Sequence, residues 1–290
     1  MWSRQFWRAV NRAAGDLGDI VVVGGTGNLA SSVLKSQPAR IQANIIALAS
    51  SETNFGRLDD TSVHCTTDPE EAFSKAKMVC WSSKPADFFS IAKMYSPFLP
   101  KEALHVSFMA AVTLEQMEKA LLSQRLIRTM SNLLAARKDS DTAIVAHPSV
   151  DKAAIEEVLS IFRFVGRVHQ LDSEQQMNMF TAAIGSGPAF VLRFMESFRQ
   201  ALVGEGFREE QAIALIASLF TATGSFADND QRSWSQIIDD ISSARGTTVE
   251  GLGVLDHLNA PGAVTSCLHA ASYRAAEISR ELDEKAGTTP

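Results

Sequence analysis

Near the N-terminus the residues best suited to chemistry are small rather than reactive. Gly24, Gly25, Thr26, Gly27, Asn28, Leu29 and Ala30 follow a β-branched run, Asp19 to Gly24 (DIVVVG), and overlap an apolar helical pattern from Asn28 to Leu34. Strand, tight turn and helix in that order fit a G-x-G-x-x-G/A pattern on Gly25, Gly27 and Ala30. In that pattern Gly25 permits the tight turn, Gly27 lets backbone N–H groups approach a pyrophosphate, and Ala30 keeps the helix close to the strand. The helix N-terminus would then face the anion with unpaired N–H groups. Glycine-rich turns are common, so the weight of this one comes from its place between a strand and a helix.

A second polar group follows the next strand-like run, IIALAS (Ile45 to Ser50), in Ser50, Ser51, Glu52, Thr53 and Asn54. NAD-specific proteins place an acid here for the ribose hydroxyls, whereas hydroxyl and amide donors suit a 2′-phosphate. Ser50 and Ser51, with Thr53, Asn54 and Arg57 nearby, point to NADPH; Glu52 points to NADH, which stays as the alternative. The six histidines have no metal-ligand spacing, and no Ser/His/Asp arrangement stands out. Cys65, Cys80 and Cys267 are far apart and odd in number, which suits buried thiols in a reducing compartment rather than a disulfide framework or a zinc site.

These groups need a scaffold, and the chain has the composition for one. Of its 290 residues 46% are hydrophobic, enough for two modest cores. The 27 basic and 33 acidic residues are spread along the chain, so no basic stripe exists for nucleic acid. No apolar run approaches the ~20 residues that cross a bilayer. Strand-like and helical segments alternate to about Leu171: MVCWSS (Met78 to Ser83), a helix from Pro85 to Tyr95, ALHVSF (Ala103 to Phe108), a helix from Thr113 to Leu122, RLIRTM (Arg125 to Met130), TAIVAH (Thr142 to His147), a helix from Asp151 to Phe162 and GRVHQL (Gly166 to Leu171). Such alternation implies a parallel sheet covered on both faces. Beyond Leu171 apolar residues recur at helical spacing, as in Phe190, Val191, Phe194, Phe198 and Leu202. The expected division is an N-terminal extension over 1–18, a dinucleotide-binding domain over 19–171 and a helical domain over 172–290. In the extension Arg4, Arg8 and Arg12 lie four apart among Trp2, Phe6, Trp7 and Val10. That pattern suits a surface amphipathic helix in a cytoplasmic protein or, as the alternative, a mitochondrial presequence.

Several further stretches place the chain beside a known family. VGGTGNLASSV, SSKPADF (Ser82 to Phe88), VSFMAAVTLEQME (Val106 to Glu118), LIRTMSN (Leu126 to Asn132), IGSGPAFVLRFMES (Ile184 to Ser197) and ISSARGTTVEGLGVLD (Ile241 to Asp256) occur in the order found in pyrroline-5-carboxylate reductase, which the chain resembles after its first residues. GSGPAF and RGTTVEGL are the more specific of these. The resemblance implies an α/β N-terminal Rossmann-type domain with a parallel sheet, plus an all-α C-terminal dimerisation domain, working as a homodimer or larger homo-oligomer. It implies NAD(P)H-dependent reduction of a small cyclic imine, 1-pyrroline-5-carboxylate, to proline.

By the same resemblance, Lys84 and Pro85 border the cofactor, Met109 and Ala110 lie near the nicotinamide ribose, and Asn132 closes that wall. Ser186 and Gly187 open a helix toward the substrate carboxylate. Gly246 and Thr247 supply backbone donors to it, and the Thr248 hydroxyl reaches the imine nitrogen. Each of these also reads as an ordinary turn or helix start. The chain departs from the family at Ser131, where proline is usual, at Leu133 and Leu134, at Ala111 for glycine, and at Ala244 and Arg245 for a proline and a glycine. Arg245 is expected either to clash with a backbone built for glycine or to offer its guanidinium to the substrate carboxylate. These departures keep open a second reading, a nucleotide-binding relative that has lost catalysis and serves a regulatory or binding role.

Overall fold

The computed structural model describes residues 19–287, with side chains over 20–284, so the expectations for the N-terminal extension fall outside the described residues. The first half of the chain builds one eight-stranded sheet. Its elements are β1 (Asp19–Val23), α1 (Asn28–Ser36), α2 (Ala39–Gln42), β2 (Ile45–Leu48), β3 (His64–Thr66), α3 (Pro69–Phe73), β4 (Ala76–Trp81), α4 (Phe88–Tyr95), β5 (Leu104–Ser107), α5 (Leu114–Leu121), β6 (Leu126–Met130), β7 (Ser140–Ala146), α6 (Lys152–Phe162) and β8 (Gly166–Gln170). The strand order is β3-β2-β1-β4-β5-β6-β7-β8. Strand order reverses between β1 and β4, the place where open α/β sheets bind ligands beyond the carboxyl ends of their strands.

Alternation along the strands feeds two cores. Ile20 and Val22 of β1 face one side with Ala30, Val33 and Leu34 of α1 and Val158 and Phe162 of α6. Val21 and Val23 face the other with Phe73, Phe88, Met117 and Trp81. Burial on both faces explains why these strands are continuous apolar runs rather than alternating ones.

The expected parallel sheet needs one correction, because β7 runs antiparallel to β6 while β8 is parallel to β7. The link from β6 to β7 holds only a short 3-10 helix, Leu133–Arg137, too little for the crossover that parallel neighbours require. The helix expected over Pro85 to Tyr95 begins instead as a 3-10 turn, Pro85–Asp87, before α4. β3 is an edge strand of three residues, too short to show a period.

The helical half comprises α7 (Gln176–Phe180), a π-helical turn (Thr181–Gly185), α8 (Gly187–Gly204), α9 (Glu209–Asn229), α10 (Trp234–Ile241), α11 (Thr247–His257) and α12 (Ala260–Gly287). Two compact units result, one running to Gly185 and resuming at Ala271, the other spanning Ser186–Ala270. Within the first, Leu282 joins the sheet core and the Gln116 amide donates to the Ser279 carbonyl and the Asp283 carboxylate, each at 2.8 Å. Within the second, only Ala212, Ile216 and Ile237 are buried, while Leu192, Phe198, Phe226, Trp234 and Leu258 are largely exposed. So much exposed apolar surface on amphipathic helices marks an association surface.

Candidate functional site

The glycine turn sits at the carboxyl end of β1 and differs from expectation in which glycine does what. The left-handed residue is Gly24, at φ +76°, and a Cβ there would lie 2.9 Å from the Ser82 carbonyl oxygen. Gly25, expected to permit the turn, instead allows close contact between turn and sheet, since a Cβ would come within 2.9 Å of the Ala47 methyl. Gly27 keeps its N–H inside the turn, donating to the Gly24 carbonyl at 2.9 Å. The first bond of α1 runs from Ser31 N–H to the Gly27 carbonyl, 2.8 Å, and the Gly27 N-cap brings no side chain to the helix start. The N–H groups of Asn28, Leu29 and Ala30 are therefore left for an anion. Ala30 is fully buried against the sheet, as its expected role requires.

Ser50 and Ser51 lie exposed beyond β2, and Ser51 precedes a 3-10 helix, Glu52–Leu58. That helix carries Arg57 back to the glycine turn. Its Nη1 donates to the Thr26 carbonyl at 3.0 Å and to Asn28 Oδ1 at 2.9 Å. One edge of the guanidinium is thus anchored, and the cation stands exposed beside the free N–H groups. The sequence reading leaves Arg57 only a supporting part; the signal missed is the seven-residue 3-10 helix that folds the loop onto residues 26–28.

The adjoining loops converge on this edge of the sheet. Ser82 N–H donates to the Val23 carbonyl at 2.9 Å, tying the β4 loop to the glycine turn. Lys84 is exposed and Pro85 starts the following 3-10 helix. The Ser83 hydroxyl donates to Met109 Sδ at 3.4 Å, which joins the β4 and β5 loops. Met109 is buried, Ala110 half-buried, and Ala111 holds the left-handed conformation at φ +64° although it is not glycine. Asn132 caps its own 3-10 helix by accepting from Leu134 N–H, and its Nδ2 donates to the Ile184 carbonyl, both at 2.9 Å.

Below this edge lie two buried polar groups. Arg128 on β6 is 2% exposed and pairs with Glu174 at 2.8 Å; burial pulls its basicity down, partly offset by that carboxylate. Glu174 Oε1 also accepts from Leu114 N–H, at the start of α5. His105 on β5 accepts from the Trp81 indole, 3.3 Å, and burial pushes its pKa down to about 4, so it is a neutral core residue.

In the second unit the remaining candidates open helices. Ser186 is the N-cap of α8, with Gly187 and Pro188 in its first turn, and Gly246 is the N-cap of α11, with Thr247 and Thr248 following. Neither cap makes a side-chain hydrogen bond to its helix. Thr248 is half-buried. Arg245 keeps the left-handed conformation at φ +62° and is exposed. The loop thus holds a non-glycine residue in the left-handed region, with the arginine side chain directed to solvent.

Comparison with known proteins agrees with this arrangement. Residues 174–278 match the family model for pyrroline-5-carboxylate reductase dimerisation. A pyrroline-5-carboxylate reductase of Staphylococcus haemolyticus is 27% identical over 267 residues, covering 89% of this chain and 97% of the relative. Among solved structures, a pyrroline-5-carboxylate reductase from Coxiella burnetii superimposes with a TM-score of 0.82 at 26% identity, covering 91% of this chain and 99% of that one. A pyrroline carboxylate reductase from Plasmodium falciparum with NADP bound shares the fold, with a TM-score of 0.81 at 22% identity over 90% of this chain and 98% of that one. The family resemblance read from the sequence is borne out.

Proposed function

We propose that this chain, a relative of the pyrroline-5-carboxylate reductases along nine-tenths of its length, reduces 1-pyrroline-5-carboxylate to proline with NADPH, as a homodimer or larger homo-oligomer. The observation that carries the reading is that this likeness covers 90% of this chain and 98% of the relative's own length, taking in most of the sheet-forming part and the helical part together. The exposed apolar helices of the second unit support the assembly. Bacterial relatives are in line with a cytoplasmic enzyme.

The chain's own residues suit the cofactor. Asn28, Leu29 and Ala30 offer N–H groups to the pyrophosphate, Ser50 and Ser51 offer hydroxyls, and the anchored Arg57 offers a cation for a 2′-phosphate. Lys84, Pro85, Met109 and Ala110 border the same edge. When bound, NADPH supplies the hydride that adds to the imine carbon. The helix starts at Ser186–Gly187 and at Thr247 hold the substrate carboxylate, the Gly246 N–H being given instead to the Ser243 carbonyl at 2.9 Å, and the Thr248 hydroxyl donates to the imine nitrogen, which makes the carbon a better hydride acceptor. A reading as a retired enzyme, kept open by Ser131, Ala244 and Arg245, has less support, because relatives and solved structures this chain is similar to are named as the reductase itself.

Purified protein mixed with NADPH and pyrroline-5-carboxylate should oxidise the cofactor and yield proline; absence of turnover in a folded, NADPH-binding sample would reject the reading. Replacing Arg57 by alanine should weaken NADPH roughly tenfold, the scale of one charge-assisted contact, and leave NADH within about twofold. Fluorescence titration of the two nucleotides reads that difference, and equal losses for both would remove Arg57 from 2′-phosphate recognition.

A further inference from the structure

After the π-helical turn Thr181–Gly185, the Ile184 carbonyl lacks its α-helical donor. In a continuing α-helix the Ile184 carbonyl accepts from the residue four ahead, but that residue is Pro188, which has no N–H. The next N–H, that of Ala189, goes to the Ser186 carbonyl at 3.0 Å. Asn132 Nδ2 fills the gap at 2.9 Å, across 52 residues of sequence.

The amide is held in place by buried hydroxyls. Asn132 Oδ1 accepts from Leu134 N–H at 2.9 Å and from the Ser140 hydroxyl at 3.2 Å. Ser140 and Ser131 share a hydrogen bond of 2.8 Å, and Thr142 donates to Ser131 at 3.0 Å. All four polar side chains are buried, so each needs its partner, and together they fix which way the Asn132 amide points. Gly185 lies tight against the end of β6, where a Cβ would come within 2.5 Å of the Met130 Cε.

We infer that Asn132 is a positioning residue rather than a cofactor ligand: its amide supplies the donor that Pro188 withholds, and the Ser131–Ser140–Thr142 hydroxyls keep it aimed at the π-turn. Its substrate effect passes through Ser186 and Gly187, the residues that follow that turn, and so rests on the imine-reductase reading. Ser131 then has a function of its own at a position where the family usually places proline.

The test compares Asn132→Ala, Ser131→Ala and Ser131→Thr in the intact oligomer. Hydrogen exchange of peptides covering residues 181–187 should speed up at least tenfold in Asn132→Ala, less in Ser131→Ala and not in Ser131→Thr, which keeps the hydroxyl. Peptides from β1 to β5 should be unchanged. NADPH affinity, titrated by fluorescence, should stay within twofold of the parent in all three, while kcat/KM for pyrroline-5-carboxylate falls about tenfold or more in Asn132→Ala, with the loss mainly in KM. Unchanged exchange over 181–187 in Asn132→Ala would overturn the inference, as would a loss of NADPH affinity matching the loss of kcat/KM. Exchange and nucleotide titration read the positioning role even if the parent proves inactive on the imine, so the two proposals fail separately. If Asn132→Ala does not fold, Ser131→Ala decides: faster exchange over 181–187 with Thr rescuing it supports the inference, and exchange like the parent's refutes it.

Discussion

The two compact units hold themselves together by different means. The sheet unit packs apolar side chains on both faces of a central sheet and pairs most of its buried polar side chains, whereas the helical unit buries three residues and exposes whole apolar faces. The first has an interior of its own; the second leaves apolar faces for association to cover. A single substitution in the sheet unit should therefore act on folding directly, and one in the exposed helices should act through the assembly.

The most severe way to probe the sheet unit's self-sufficiency is to strand its buried charge. Glu174→Gln removes the carboxylate opposite Arg128, which is 2% exposed, while keeping an oxygen for Leu114 N–H. Breaking a buried pair from one side costs about 3–5 kcal/mol. The partial exposure of Glu174 places the expected loss near the lower figure, and thermal unfolding at fixed protein concentration measures it. A loss below about 1 kcal/mol would mean that water solvates Arg128 and that this interior is less closed than its packing implies.

Acid should then separate the two units. His105 has its pKa lowered by burial from 6.5 to about 4, so folding favours the neutral ring. Its contribution is complete above about pH 6.5 and declines as the pH falls from there toward 4, by up to about 3 kcal/mol. His105→Gln should flatten that part of the pH–stability curve while lowering stability at neutral pH. If the parent curve is already flat between pH 6.5 and 4, His105 is not desolvated and the contrast between the units weakens.

How far these features could be read from the sequence follows the same division between local and distant causes. The longer strands, the glycine turn and the helical spacing from Phe190 to Leu202 were legible because each is written in a few adjacent residues. What escaped depends on partners far along the chain. Gly24 rather than Gly25 takes the positive φ, with the Ser82 carbonyl so close that no Cβ fits, and Asn132 reaches a carbonyl whose donor a proline removed. Gln116 is tied to residues more than 160 positions away. The antiparallel β7 was decided by the short link before it, a length the residue types alone did not flag.

The mildest test uses the same substitution in both units. Ala111 and Arg245 hold nearly the same left-handed backbone, φ +64° and +62°, one buried in the sheet unit and one exposed in the helical unit. Replacing either by glycine relieves about 1–2 kcal/mol of local strain and costs about 0.5–1 kcal/mol in unfolded-chain entropy. At Ala111 the change also removes a buried methyl worth roughly 0.8 kcal/mol, so the three effects nearly cancel. At Arg245 no buried contact is lost, and a net gain of about 0.5–1 kcal/mol is expected. Thermal unfolding of the two variants against the parent reads the difference, while KM for the imine shows whether the Arg245 guanidinium also holds the substrate carboxylate. A gain in stability with KM unchanged makes Arg245 a tolerated occupant of a glycine position, and a strong rise in KM makes it the carboxylate anchor. Loss of stability in Arg245→Gly would show that the arginine is held by contacts the partner subunit supplies, and the helical unit's dependence on association would then reach into the substrate loop itself.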